Sequence, residues 1–183
     1  ESGRNDLDPA RELGFEKSFI NPAMESGPFP HFEHQVLEKT PEFEVTRDWR
    51  GITMRNRRDG GSMPEFLDYP VKTPEDWEQL KNERYSLNGD LLDKRIIQEW
   101  NEFRLRIKQS GEAIQVGTYP WGVFGTARDI LGAEELLISF ISEPEMVKDI
   151  MLHMTKLWLG IWERAAREVR IDHIHIWEDM SGR

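Results

Sequence analysis

Histidine and carboxylate side chains concentrate near the end of the chain, in Ile171-Asp172-His173-Ile174-His175-Ile176-Trp177-Glu178-Asp179. The alternation of isoleucine with polar residues predicts a β-strand, whose successive side chains point to opposite faces. Asp172, Ile174, Ile176 and Glu178 then share one face, and His173, His175, Trp177 and Asp179 the other. The isoleucines require apolar packing, so they are expected to face a helix layer and the histidines an interior. Imidazole titrates near neutrality and can move protons or bind metal. His173, deeper in the strand, reads as hydrogen-bonded filling. His175 reads equally as filling or as a functional group. Asp179 falls at the C-terminal end of the strand and reads as functional, because a carboxylate there is costly to retain otherwise. Glu178 lies on the other face, but strand ends twist and its carboxylate can reach the same mouth.

Tyr119-Pro120-Trp121-Gly122 is a second group of interest, either a tight strand-to-helix turn with an aromatic plug or a flat wall for a planar ligand. Arg47, Arg50, Arg55, Arg57 and Arg58 form a basic cluster suited to carboxylates or phosphates by bidentate pairing. A solvated, charge-balanced hairpin face is the simpler account of them. His31 and His34, three residues apart, suit a shared metal but have no third ligand close in sequence.

These residues need elements to position them. Ser18–Asn21 reads as a short strand and Phe32–Lys39 as a short helix, with Phe32, Val36 and Leu37 on one side. From Glu42 to Arg57 the apolar period changes to two, interrupted at Asp48-Trp49-Arg50-Gly51, which predicts a β-hairpin. Thr73-Pro74-Glu75-Asp76 opens a helix: Thr73 caps, Pro74 loses no bond, and the acids face the positive end of the helix dipole. A longer helix is expected from about Asp90 to Gln109, with Leu92, Ile96, Trp100, Phe103 and Ile107 on one stripe.

Ala113–Tyr119 then reads as a strand, followed by helices over Trp121–Leu131 and Ala133–Ile141. Ser142-Glu143-Pro144-Glu145 reads as a capping box before a long helix carrying Val147, Ile150, Met154, Leu157, Ile161 and Ala165. Strands joined through helices pair in parallel by a right-handed crossover. The fold class expected is therefore α/β, a barrel or a doubly wound sheet, with an inserted β-hairpin. A whole (β/α)8 barrel takes about 250 residues. The 183 residues supply few barrel strands and end just after one, so they are expected to be part of a larger protein.

Composition narrows the function classes. Lys and Arg number 24 against 34 Asp and Glu, a net charge of −10, which disfavours a nucleic-acid binder that must displace counterions. With 7 Trp, 9 Phe and 3 Tyr the composition is that of a packed globular chain, not a disordered one. No apolar run reaches the roughly 18–20 residues of a membrane span, and the first residues form neither a signal nor a transit peptide. Cysteine is absent, which removes disulfides, thiolate catalysis and Cys-ligated metal within these residues and fits a cytoplasmic location.

Pro64-Glu65-Phe66-Leu67-Asp68-Tyr69-Pro70-Val71-Lys72-Thr73-Pro74-Glu75-Asp76-Trp77-Glu78, Tyr119-Pro120-Trp121-Gly122 and Trp177-Glu178-Asp179-Met180-Ser181-Gly182, in that order, resemble the uroporphyrinogen decarboxylase superfamily, which includes corrinoid-dependent methyltransferases. The resemblance spans most of the chain and is specific to the superfamily, not to one reaction. It implies that residues 1–183 are a fragment of a single barrel domain, a partial (β/α)8 TIM barrel lacking the first strand and the second half. It also implies a small-molecule substrate and a site built by Asp179, Glu178 and His175 as catalytic groups, with Tyr119, Trp121, Thr126 and Trp177 binding substrate. Asp179 stands where the family has a serine, and Thr126 where it has a tyrosine. No counterpart of the arginines that hold substrate carboxylates in the decarboxylases is visible. The implied reaction is methyl transfer involving a corrinoid, carried by a partner protein, or a thiol. Decarboxylation of a tetrapyrrole and an inactive truncated domain are the alternatives. Any zinc would be held by His and Cys of the second half.

Overall fold

The computed structural model describes residues 13–14, 19–22, 24–61, 63–96, 100–110, 112–117 and 122–178. Two sheets and six helices are built from them. The first sheet is antiparallel and takes its strands in chain order: β1 (Gln35–Lys39), β2 (Phe43–Arg47), β3 (Thr53–Arg57) and β4 (Glu65–Asp68). The expected hairpin is β2–β3, in register from Phe43 opposite Arg57 to Arg47 opposite Thr53, with Gly51 at φ +88° in its turn. The sheet is wider than the hairpin alone. Phe32–Lys39 was expected to be helical, yet Gln35–Lys39 pairs with β2. The open edge of β2 offers a full ladder of backbone hydrogen bonds, which outweighs a weak helical spacing.

Helix α1 (Pro74–Arg84) begins as its sequence predicts: Thr73 Oγ1 accepts from Asp76 N, and Asp76 Oδ2 accepts from Thr73 N at 2.9 Å. The helix expected over Asp90–Gln109 is instead two, α2 (Gly89–Lys94) and α3 (Trp100–Ser110). The interruption falls where Arg95 turns inward. Its guanidinium is 1% exposed and donates to the carbonyls of Glu25, Gly27 and Arg84. Burial among carbonyls lowers its pKa to about 10.

After β5 (Gln115–Val116) come α4 (Val123–Leu131), α5 (Ala133–Ser142) and α6 (Pro144–Ala166), then β6 (His173–Ile174). The capping box expected at Ser142 does not form. Ser142 is the last residue of α5, where its hydroxyl donates to the Ile138 carbonyl, and Glu143 precedes α6 with no side-chain cap. The apolar stripe of α6 is buried as expected: Ile150, Met154, Leu157, Ile161 and Ala165 are each 0% exposed. The first four pack with Trp77, Leu92, Ile130 and Leu136 in the main core, and Ala165 with Trp100, Phe103 and Ile114 in a second cluster.

β5 and β6 pair in parallel, Gln115 opposite His173 and Val116 opposite Ile174, with the α4–α6 crossover between them. Ile20 makes a parallel bridge to Ile114, so the segment around it flanks β5 on the other edge. The fold is therefore mixed α/β, with an antiparallel sheet beside a small parallel one, and no closed barrel forms among the described residues. No described helix is long and apolar enough to cross a membrane.

The antiparallel sheet meets the helices through its turn. Arg50 Nε donates to Asp48 Oδ2 and its Nη1 to Asp129 Oδ2 on α4, both at 2.8 Å. Burial raises the Asp129 pKa despite the Arg50 charge beside it, and the two acids raise that of Arg50 against its own burial.

Candidate functional site

Polar groups gather along the parallel strands, from a row at the first residues of β5 and β6 to their C-terminal end. His173 Nδ1 lies 2.6 Å from Gln115 Oε1, and Gln115 Nε2 lies 3.4 Å from Asn21 Oδ1. One hydrogen-bonded row thus crosses all three parallel segments. Phe19 stacks on the His173 ring at 4.8 Å between centroids, and the His175 ring stands edge-on to it at 6.2 Å. Asn21, Met24, Ser26, Gln115 and Gly117 line a cleft of about 90 Å³ beside the row.

Backbone geometry holds this edge tight. His175 N donates to the Val116 carbonyl at 2.8 Å, one step beyond the assigned strands. Gly117 follows at φ +88°, and a Cβ there would collide with the His175 carbonyl. Only glycine meets both requirements.

Glu178 leaves the strand and reaches the first turn of α4, where its Oε2 accepts from Phe124 N at 3.1 Å. A carboxylate at a helix N-terminus satisfies an open amide and faces the positive end of the dipole. Glu178 lies four residues beyond the end of β6 at Ile174.

The other expected site residues are placed unevenly. His175 joins the edge, and Thr126 is 5% exposed on α4 with no hydrogen-bond partner for Oγ1 among the described residues. Trp177 is 53% exposed. Tyr119, Trp121 and Asp179 lie outside the described residues. The expectation that Ile174 and Ile176 pack on a helix layer is not met, since they are 53% and 57% exposed: the crossover helices direct their apolar stripes at one another and at α1.

The arginines of the antiparallel sheet are engaged locally. Arg55 pairs with Glu65, Arg57 with Asp59, and Arg58 donates to the Thr40 carbonyl, beside the Arg50 contacts above. Arg55 and Arg57 are thus balanced by acids on the sheet itself, and Arg50 by Asp48 and by Asp129 of α4. His31 pairs with Glu25 at 2.8 Å and tilts against Trp49. Among the described residues no three His, Asp or Glu side chains are grouped to hold a metal.

Gln115 and Asn21 were not singled out by sequence reasoning, and His173 was read as filling. One signal was present: a glutamine between Ile114 and Val116 interrupts an apolar run in a strand buried on both faces. The edge offers imidazole, amide and carboxylate groups, suited to accepting protons and hydrogen-bonding a polar or thiol-bearing substrate. Comparison with protein-family models, curated proteins and solved structures finds no match for the chain.

Proposed function

We propose that these residues are part of a uroporphyrinogen decarboxylase-like barrel enzyme that transfers a methyl group between a corrinoid, presented as a substrate by a partner protein, and a thiol. The observation that carries this reading is a parallel strand pair joined by a helical crossover, with Gly117, His175 and Glu178 at its C-terminal end and the Asn21–Gln115–His173 row just before it. Barrel enzymes place their chemistry at that end. Exposed Leu137, Ile138 and Ile141 on α5 fit a helix face that further elements of a barrel would cover.

Methyl transfer is preferred to decarboxylation of a tetrapyrrole on charge. A polycarboxylate substrate needs arginines at the mouth. The side chains that hydrogen-bond here are two amides, an imidazole and a carboxylate, while Arg50, Arg55 and Arg57 are held by Asp48, Asp129, Glu65 and Asp59. The described residues do not make a zinc site, so no step is derived through zinc. His175 and His173 would take the proton of the acceptor thiol, and Glu178 would orient substrate while closing the first turn of α4.

The test is to incubate the intact protein with methylcobalamin and 2-mercaptoethanol, following the corrinoid spectrum and the methyl thioether. Methyl transfer that falls about 10²-fold in Asp179→Asn, without loss of fold, is the expected result. Release of carbon dioxide from uroporphyrinogen with no methyl transfer would replace this reading by the decarboxylase one.

A further inference from the structure

Gln115 is a buried side chain, 8% exposed, with both ends of its amide engaged across strands. Its Nε2 donates to Asn21 Oδ1, and Oε1 therefore faces His173 Nδ1. An amide oxygen only accepts, so the nitrogen facing it must carry the proton. In neutral imidazole one nitrogen donates and the other accepts, which leaves Nε2 with a free lone pair. Phe19, stacked on the ring at an interplanar angle of 21°, fixes the plane in which that lone pair points.

We propose that Gln115, oriented by Asn21, locks His173 as the Nδ1–H tautomer, so that Nε2 is a fixed proton acceptor for a thiol substrate bound against this row. Gln115 and Asn21 are positioning residues that act through His173. The role in turnover rests on the methyl-transfer reading; the tautomer does not. In the step itself the S–H bond breaks and its electron pair stays on sulfur. The proton forms a new N–H bond at Nε2, giving an imidazolium whose Nδ1–H still donates to Gln115. The thiolate sulfur forms a C–S bond to the methyl carbon as the Co–C bond of the corrinoid substrate breaks, that electron pair leaving with the cobalt, and the imidazolium returns its proton to solvent.

The orientation of the two amides matters because exchanging their oxygen and nitrogen keeps the same contacts. The reverse chain, with Asn21 donating to the Gln115 oxygen and the Gln115 amide nitrogen donating to Nδ1, would put the proton on Nε2. That arrangement offers a substrate a donor instead of an acceptor. The two alternatives differ in which nitrogen is protonated, and that is directly observable.

The experiment is ¹⁵N NMR of the histidine-labelled intact protein, at a pH where the ring is neutral, with His173 assigned by its loss in His173→Gln. The proposal expects a protonated Nδ1 and a bare Nε2 in the wild type. Gln115→Glu keeps an oxygen opposite Nδ1 and should preserve that pattern, whereas Gln115→Met should release it to a mixture. If Gln115→Met melts too low to use, Asn21→Leu, at an exposed position, should loosen the preference by freeing the amide to turn. A wild-type His173 protonated on Nε2 overturns the proposal. In the methylcobalamin and 2-mercaptoethanol assay, Gln115→Met should lower kcat about tenfold or more with KM for the thiol little changed, and Gln115→Glu should restore much of it. Full kcat in a Gln115→Met protein that has lost its tautomer overturns the catalytic part. A wild type that shows the expected tautomer but transfers no methyl group defeats the functional reading and leaves the tautomer standing.

Discussion

The Gly117 α-carbon and the His175 carbonyl are so close that the two strands admit no side chain between them at the edge of the parallel sheet. His175 N donates to the Val116 carbonyl immediately before this point, so the contact and the ladder depend on each other.

Gly117→Ala should therefore destabilise the protein through both backbone strain and collision. Left-handed backbone in a non-glycine residue costs on the order of 1–3 kcal/mol. Gly60, at φ +69° with no atom within 4 Å of an added Cβ, carries the conformational cost alone. Thermal melting should show Gly117→Ala below Gly60→Ala by at least about 1 kcal/mol, the share of the collision. Equal losses would mean that β6 shifts away at little cost.

Glu178 offers a separation of helix capping from chemistry. Glu178→Gln keeps an oxygen for Phe124 N–H, so it should fold like the wild type. Glu178→Ala removes the acceptor and should cost about 0.5–2 kcal/mol. If the charge orients substrate, Glu178→Gln loses turnover at unchanged melting temperature; unchanged turnover would assign Glu178 to capping alone.

Ile174→Asp should be tolerated in the 183-residue chain, with a change within about 0.5 kcal/mol, because the side chain is 53% exposed. Ile114→Asp, at a position 1% exposed in the neighbouring strand, should cost on the order of several kcal/mol. Urea unfolding of the two variants checks this. Equal destabilisation would show that Ile174 is covered in solution.

His153 sets an acid limit in the main core. Burial lowers its pKa, countered by the hydrogen bond from Nε2 to the Tyr85 carbonyl; Lys81 and Lys156 lower it further and Asp149 raises it. An unfolded histidine takes up its proton near pH ~6.5. As pH falls below that value, the unfolded state binds more protons than the folded state, and stability declines until the lowered folded pKa is passed. His153→Gln should flatten the dependence of the urea midpoint between about pH 7 and 5. An unchanged slope would place its origin elsewhere.

How much of this was legible in sequence differs by element. The β2–β3 hairpin, the Thr73 cap and the parallel pairing of the Gln115 and His173 strands each follow from a local signal: period two around a glycine turn, a capping residue before proline, and a strand–helix–strand order. β1 was misread because Val36 and Leu37 suit either period, and only the free edge of β2 decides between them. The break after α2 depends on Arg95 reaching carbonyls of Glu25 and Gly27 some seventy positions earlier, which a stripe of apolar residues does not reveal. Likewise Ser142 stays in α5 because its hydroxyl finds Ile138 behind it, not an amide ahead. In the candidate site, the strand-end position of His175 and Glu178 was readable. The Asn21–Gln115–His173 row was not, since it joins three segments that only the tertiary fold brings side by side.

The manner in which Arg50 joins the antiparallel sheet to α4 has a kinetic consequence. β1 to β4 bond to one another, and their turn reaches the helices through the Arg50–Asp129 pair and the contact of Phe32 with Arg84. Such a unit can open as a whole while the core around α6 stays closed. Amide protons of the four strands should then exchange together, at one common rate faster than those of Ile150 to Ile161. Arg50→Met should speed that exchange without changing the rate in α6, which makes a single guanidinium the latch of a cooperative opening event.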